Sequence, residues 1–214
     1  VVEVFSKLGI RVEVYDVQNE FIDALKGIRD AEEKRRAFRE TFYGVFSRIA
    51  KSLKTEIVLQ GTIAADVVET RGGVKTQHNV LEQIGINPLE RYGFRVLEPL
   101  KELYKNQVRE LAKVLGLPDE IVYRRPFPGP GLSIRIVGEV TREKLDIVKK
   151  ATLIVDEELA DIECFQAFPV LLEGRATGVG EDSSRKYGYI IALRIVESDD
   201  AMSAKYVKLD WNRL

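Results

Sequence analysis

Glu56-Ile57-Val58-Leu59-Gln60-Gly61-Thr62 sets three consecutive aliphatic residues between a charged residue and a Gln-Gly-Thr turn. A short unbroken apolar run of this kind suits a strand of a parallel sheet covered on both faces, where alternation is not needed. Just before it, residues 32–53 place Phe38, Phe42, Val45, Phe46, Ile49 and Leu53 at helical spacing, so one stripe faces a core. Beyond it, Phe94-Arg95-Val96-Leu97 reads as a second strand. Residues 108–115 read as a helix stopped by Gly116-Leu117-Pro118. Strands alternating with helices predict an α/β fold with a doubly wound, mainly parallel sheet. Ligands of such sheets sit beyond the carboxyl ends of the strands, which makes Gly61-Thr62 and Glu98-Pro99 candidate site positions.

Further out, Val1 to Gly9 reads as the end of a helix, Arg11-Val12-Glu13-Val14-Tyr15-Asp16 as an alternating strand, and residues 21–25 as a short helix. Residues 71–87 are polar, glycine-containing and loop-like. Pro126-Phe127-Pro128-Gly129-Pro130-Gly131 is the clearest compositional break. It divides the chain into residues 1–124 and 125–214. The second part is read as a small α+β domain: a strand at 132–137, a helix at 142–159, strands at 167–172 and 189–196, and a final helix capped by Ser198-Asp199-Asp200.

The chain has 214 residues, 45% hydrophobic and 31% charged, enough for one or two domains with real cores. With 33 Lys and Arg against 34 Asp and Glu the net charge is −1, which argues against a nucleic-acid coat. An anionic ligand needs local capture. Cys164 is the only cysteine, so no intrachain disulfide can form, which fits a cytoplasmic setting; its plain reading is a small buried hydrophobe. No apolar run approaches membrane-spanning length and no signal peptide is visible. The opening at Val1 and the ending at Trp211-Asn212-Arg213-Leu214 suggest segments missing at both ends.

Four segments carry candidate chemistry. In Gln60-Gly61-Thr62-Ile63-Ala64-Ala65-Asp66-Val67-Val68-Glu69, Gly61 allows a sharp turn and close ligand approach. Asp66 and Glu69 share a helical face, as carboxylates holding Mg2+ near triphosphate oxygens do, although spacing alone favours a solvated acidic turn. In Val74-Lys75-Thr76-Gln77-His78-Asn79, the loop lysine Lys75 can fold over a phosphate, and His78, the only histidine, reads as a loop hydrogen-bonding residue. Arg124-Arg125-Pro126 through Arg135 combines backbone N–H groups at Gly129 and Gly131 with flanking arginines suited to a phosphate or a purine carbonyl. A rigid linker with solvated arginines is an equal alternative there. Residues 178–187 read as a glycine-rich hairpin loop.

Taken in order, these segments resemble a GMP synthetase. Gln60-Gly61-Thr62 with Asp66-Val67-Val68-Glu69 is similar to the family's QGT…DxIES stretch, and residues 74–80 to its IKSHHNV lid motif. Residues 98–105 match EPLKELYK, residues 124–132 match RxPFPGPGL, and Gly138-Glu139-Val140 matches the GEV that follows. The resemblance implies an N-type ATP pyrophosphatase domain, adenine nucleotide alpha hydrolase-like, followed by a dimerisation domain that helps bind XMP. The implied reaction is attack of the XMP C2 oxygen on the α-phosphate of ATP, held with Mg2+, then displacement of AMP by ammonia to give GMP. Ammonia is supplied by a glutamine amidotransferase subunit or domain. The implied roles place Lys75 at the phosphates and Asp66 and Glu69 at the lid or the metal. Gly61, Thr62 and His78 belong to the nucleotide and lid region, and Arg124, Gly129, Gly131 and Arg135 lie at XMP. A homodimer through the second domain is implied as well.

The chain departs from the pattern. The SGGVDS loop and the KPPATIEWE ending are absent, so the stretch as printed is not expected to catalyse the reaction unaided. Gln77 stands for the first lid histidine, and Gly180-Glu181-Asp182 departs from VGVxGD. Two other readings compete: another N-type ATP pyrophosphatase, such as an NAD synthetase or a tRNA-modifying relative, and a non-catalytic dimerising nucleotide-binding module.

Overall fold

The computed structural model describes residues 2–71, 81, 85–125, 130–179, 184–198 and 203–213. The first elements are helices α1 (Val2–Lys7), α2 (Gln18–Leu25) and α3 (Ala31–Ser52). Asp30 starts α3 by accepting from the N–H groups of Glu32 at 2.8 Å and Glu33 at 2.9 Å, two donors that have no partner within a helix. Strand β1 (Ile57–Leu59) follows, then α4 (Ala64–Arg71), α5 (Pro88–Tyr92) and strand β2 (Arg95–Leu97). Asn87 and Pro88 open α5, and Gly93 closes it in the left-handed conformation at φ 81°, a geometry open to glycine at no steric cost.

β1 and β2 pair in parallel, Ile57 with Arg95 and Leu59 with Leu97, as the sequence predicts. Tyr43, Tyr92 and Phe94 pack beneath them, with the Tyr43 and Tyr92 rings stacked at 5.3 Å. Val58 and Val96 press on this cluster while Ile57, Leu59 and Leu97 are exposed. The expectation of cover on both faces is therefore met on one face only among the described residues. The fold they show is mixed α/β, with one parallel and one antiparallel sheet.

After α6 (Lys105–Val114) and α7 (Asp119–Val122) the chain passes into a 3-10 helix, Gly131–Arg135, where a strand was expected. Gly131 takes φ 66°, and the Ser133 hydroxyl donates back to the Pro130 carbonyl at 2.7 Å, so the chain coils before it can extend. Of the expected strand, Ile136 alone among the described residues bridges a neighbour, Leu171. Helix α8 (Arg142–Glu158), capped by the Thr141 hydroxyl, then packs on an antiparallel sheet of β3 (Gln166–Val179), β4 (Arg185–Glu197) and β5 (Lys205–Tyr206). β3 and β4 are longer than predicted. Their register shifts between Leu171 and Arg175, where Gly174 adopts φ 123°. The outer part of this ribbon lies beyond the cover of α8, and Val179 is 81% exposed.

Arg11 to Asp16 forms no strand among the described residues. Its alternation is real, but a strand also needs a ladder partner, and its side chains satisfy one another, Tyr15 and Arg11 both binding Glu13. The residues after Ser198 that the expected final helix requires lie partly outside the described ones. Those described beyond Ser203 form β5 and a short 3-10 turn, Trp211–Arg213.

A second apolar cluster joins Leu25 of α2 and Ala37 of α3 to Ile136, Val140, Val148 and Leu171. Packing thus runs across the compositional break at 126–131, and α3 touches both halves of the chain. Phe94 is fully buried at the centre of the first cluster. Replacing it with Ala removes an aromatic ring from close packing and is expected to cost about 3–5 kcal/mol, read as a fall in the urea midpoint at an unchanged slope.

Candidate functional site

The carboxyl ends of β1 and β2 meet in a small hydrogen-bonded frame. Gln60 N donates to Leu97 O at 2.9 Å, which carries the parallel ladder one residue past the strands. The Tyr43 hydroxyl, rising from α3, donates to Gln60 Oε1 at 3.1 Å. Burial pushes the pKa of this phenol up, so the hydroxyl stays a donor at every physiological pH. Thr62, 4% exposed, donates to Glu98 Oε1 at 2.7 Å and so ties the two strand ends together. Ala64 N donates to Leu103 O at 2.9 Å, fixing the start of α4 against the segment after β2.

Asp66 is committed locally. Its Oδ2 accepts from Ile63 N at 2.9 Å while its own N–H donates to Ile63 O at 3.1 Å, which closes the first turn of α4. The carboxylate therefore has a structural task that its spacing to Glu69 does not disclose. Gly61 adopts no left-handed backbone, and a Cβ there would meet nothing within 4 Å among the described residues. The sharp turn expected at Gly61 is not what requires glycine, whereas the open space beside it does leave room for a ligand.

The second region follows the Pro-Gly break. Arg124 is exposed, and one guanidinium nitrogen of Arg125 donates to the carbonyls of Leu159 and Ile162, both at 2.7 Å, which ties Arg125 to the end of α8. Arg135 is 3% exposed, and its guanidinium lies 4.3 Å from the centre of the Phe168 ring. Burial pushes its pKa down, but an arginine still keeps its charge. Arg135 thus enters the interior through an aromatic face, while Arg124 is the arginine offered to solvent. Lys75, His78 and Gly129 lie outside the described residues, as does the side chain of Glu69. Among the described residues no three His, Cys, Asp or Glu side chains form a metal-binding group.

Sequence reading missed Lys34. It is 2% exposed, and its Nζ donates to Ile136 O at 2.7 Å and to Gly138 O. A signal existed: residue 34 lies four before Phe38 and continues the apolar stripe of α3.

Comparison with known proteins places this frame. The family of the GMP synthase C terminal domain matches residues 153–214, the last part of α8 and the antiparallel sheet. A glutamine-hydrolyzing GMP synthase subunit of Archaeoglobus fulgidus is 51% identical over 213 residues, 99% of this chain and 67% of the relative. This chain belongs to the GMP synthase family. The corresponding GMP synthase subunit of Methanocaldococcus jannaschii is 48% identical over 98% of this chain and 66% of its own length. That of Pyrococcus horikoshii is 46% identical over 98% of this chain and 67% of its own. The chain thus spans about two thirds of the length of these relatives.

Within the GMP synthase frame, the bond from Thr62 to Glu98 joins the two strand ends. Thr62→Val removes the donor and keeps the shape. Because Glu98 is only half-buried and water can replace part of the bond, the expected loss is about 1 kcal/mol. Thr62→Ser should retain the stability of the wild type, and thermal unfolding of the two variants compares them directly.

Proposed function

We propose that this chain forms the ATP-pyrophosphatase part of a GMP synthase. It would convert XMP, ATP and ammonia to GMP, AMP and pyrophosphate through adenylyl-XMP. The carrying observation is identity of 46–51% to glutamine-hydrolyzing GMP synthase subunits over 98–99% of the chain. The architecture agrees: a parallel strand pair ends in a polar frame open beside Gly61, where a doubly wound sheet would hold a nucleotide.

In this reading the C2 oxygen of XMP attacks the α-phosphorus of ATP and pyrophosphate leaves. Ammonia then attacks C2 and AMP departs. The protein's part is placement and charge neutralisation rather than covalent chemistry. Gly61 and Thr62 border the nucleotide, and Lys75 and His78 close over it from the lid segment, with Lys75 steadying phosphate charge and water kept from the adenylate. Arg124 and the N–H groups near Gly129 and Gly131 receive XMP. Arg135, which lies against Phe168, is the further residue proposed at XMP.

Mg2+ bound with ATP would neutralise the phosphates, and it commonly needs only one or two protein carboxylates beside the phosphate oxygens. Asp66 fits such a post at the strand ends, and Glu69 one turn on is the second candidate. Asp66 already accepts the Ile63 N–H, so its first task is to orient the turn. Ammonia comes from a glutamine amidotransferase subunit, in keeping with the glutamine-hydrolyzing name of the relatives. No helix among the described residues is long and apolar enough to cross a membrane, and we place the protein in the cytoplasm.

Two expectations follow from this reading. The complete gene product, given Mg-ATP and ammonium, releases pyrophosphate only when XMP is present; release driven by another acceptor and not by XMP overturns the proposal. Lys75→Ala then lowers kcat by roughly 100-fold while moving the KM for XMP little, as removal of one transition-state charge contact does. We also propose a homodimer through the β3–β4 ribbon, because a two-stranded stretch is marginal in water and the outer part of this one, among the described residues, exposes Val179 and Tyr187. Sedimentation should show two copies for the wild type and a shift to monomer for Tyr187→Arg.

A further inference from the structure

Lys34 stands in the second turn of α3, on the face that carries Phe38 and Phe42, yet it is charged. Its ammonium reaches across 102 residues in sequence to Ile136 O at 2.7 Å and to Gly138 O. Those carbonyls belong to the turn that directly follows the 3-10 helix Gly131–Arg135. The same turn is held from its far side, where Val137 N donates to Leu171 O at 2.8 Å. At Gly138, φ is 79°, and a Cβ would lie 2.9 Å from the Glu173 carboxylate, which pairs in turn with Arg29 just before α3. The turn is therefore held between α3 and β3, and its left-handed corner favours glycine, while the Glu173 carboxylate is the end of a flexible side chain that can move aside.

Burial pushes the pKa of Lys34 down, Lys144 adds to that, and Asp30 and Glu173 oppose it. A buried ammonium is a poor way to gain stability, since an apolar side chain of the same volume packs without loss of hydration. What it does supply is position: satisfying the buried ammonium draws the two carbonyls to one point beside α3. Nine residues further along the same helix, about 13 Å by the rise of an α-helix, Tyr43 fixes Gln60 at the end of β1. One helix thus holds the strand-end frame and the Ile136–Gly138 turn at a set separation.

We propose that Lys34 is a positioning residue for the purine monophosphate: through the Ile136–Gly138 turn it sets the 3-10 helix Gly131–Arg135 at its working distance from the ATP-bearing strand ends. This rests on the GMP-forming reading above. The test uses the complete gene product with ammonium as nitrogen donor. Lys34→Met keeps the volume of the side chain and loses its donors. It is expected to lower kcat/KM for XMP about 10- to 100-fold, as a small misplacement of one substrate does, through a raised KM for XMP with the KM for ATP unchanged. Gly138→Ala puts a Cβ on the left-handed corner of the same turn; it should displace the turn and raise the KM for XMP several-fold, and it decides the matter if Lys34→Met does not fold. A soluble Lys34→Met with unaltered kinetics, or with a lower kcat and both KM values unmoved, makes Lys34 a folding residue only and overturns the proposal. An unchanged KM for XMP in Gly138→Ala does the same. A wild type that releases no pyrophosphate with XMP instead overturns the reading beneath it.

Discussion

Helix α3 has to satisfy two cores from two of its sides. Its Tyr43 turn packs under the parallel pair with Tyr92 and Phe94, while Ala37 meets the cluster built from Leu25, Ile136, Val148 and Leu171. A helix cannot bend to serve two partners independently, since its i, i+3 and i+4 rows are fixed by 3.6 residues per turn. Whatever relation the strand ends bear to the segment after the Pro-Gly break is therefore set by this one rod. Two buried polar tips half a turn apart around its axis, the Lys34 ammonium and the Tyr43 hydroxyl, sharpen what packing alone leaves approximate.

The candidate site shows the same economy. Residues that motif matching assigns to substrates also hold the scaffold: Asp66 closes a helix turn, Thr62 ties two strands, and Arg135 lies on Phe168. Such double use makes a single substitution hard to interpret from activity alone, because loss of order and loss of a ligand contact both lower the rate. Separating KM from kcat, or choosing isosteric changes, is how the two are told apart.

Much of this was legible in the sequence where the signal is local. The apolar period of residues 32–53, the aliphatic run at 57–59, and the Gly-Leu-Pro stop after α6 each carry their own cause, and the structure follows them. The readings that failed depend on remote partners or on turn chemistry just upstream of the segment. Arg11 to Asp16 alternates like a strand, but pairing belongs to the neighbour and not to the segment. Residues 132–137 are branched enough to extend, yet Pro130 and the left-handed Gly131 coil the chain first. The inward course of Arg135 is set by Phe168, 33 positions later by number, and no pattern within the Pro-Gly motif announces it. Lys34 is the instructive miss: a charge lying on an apolar stripe is a deviation that the stripe itself exposes.

The register of β3 and β4 shifts between Leu171 and Arg175, where Gly174 stands at φ 123°, a backbone angle that L side chains rarely adopt. That angle is a property of the main chain and not of the side chains farther along the strands. Evolution can therefore rewrite those side chains, altering charge or bulk, and leave the joint as it is. Loss of the glycine has the opposite effect, straining the joint while every other side chain is kept.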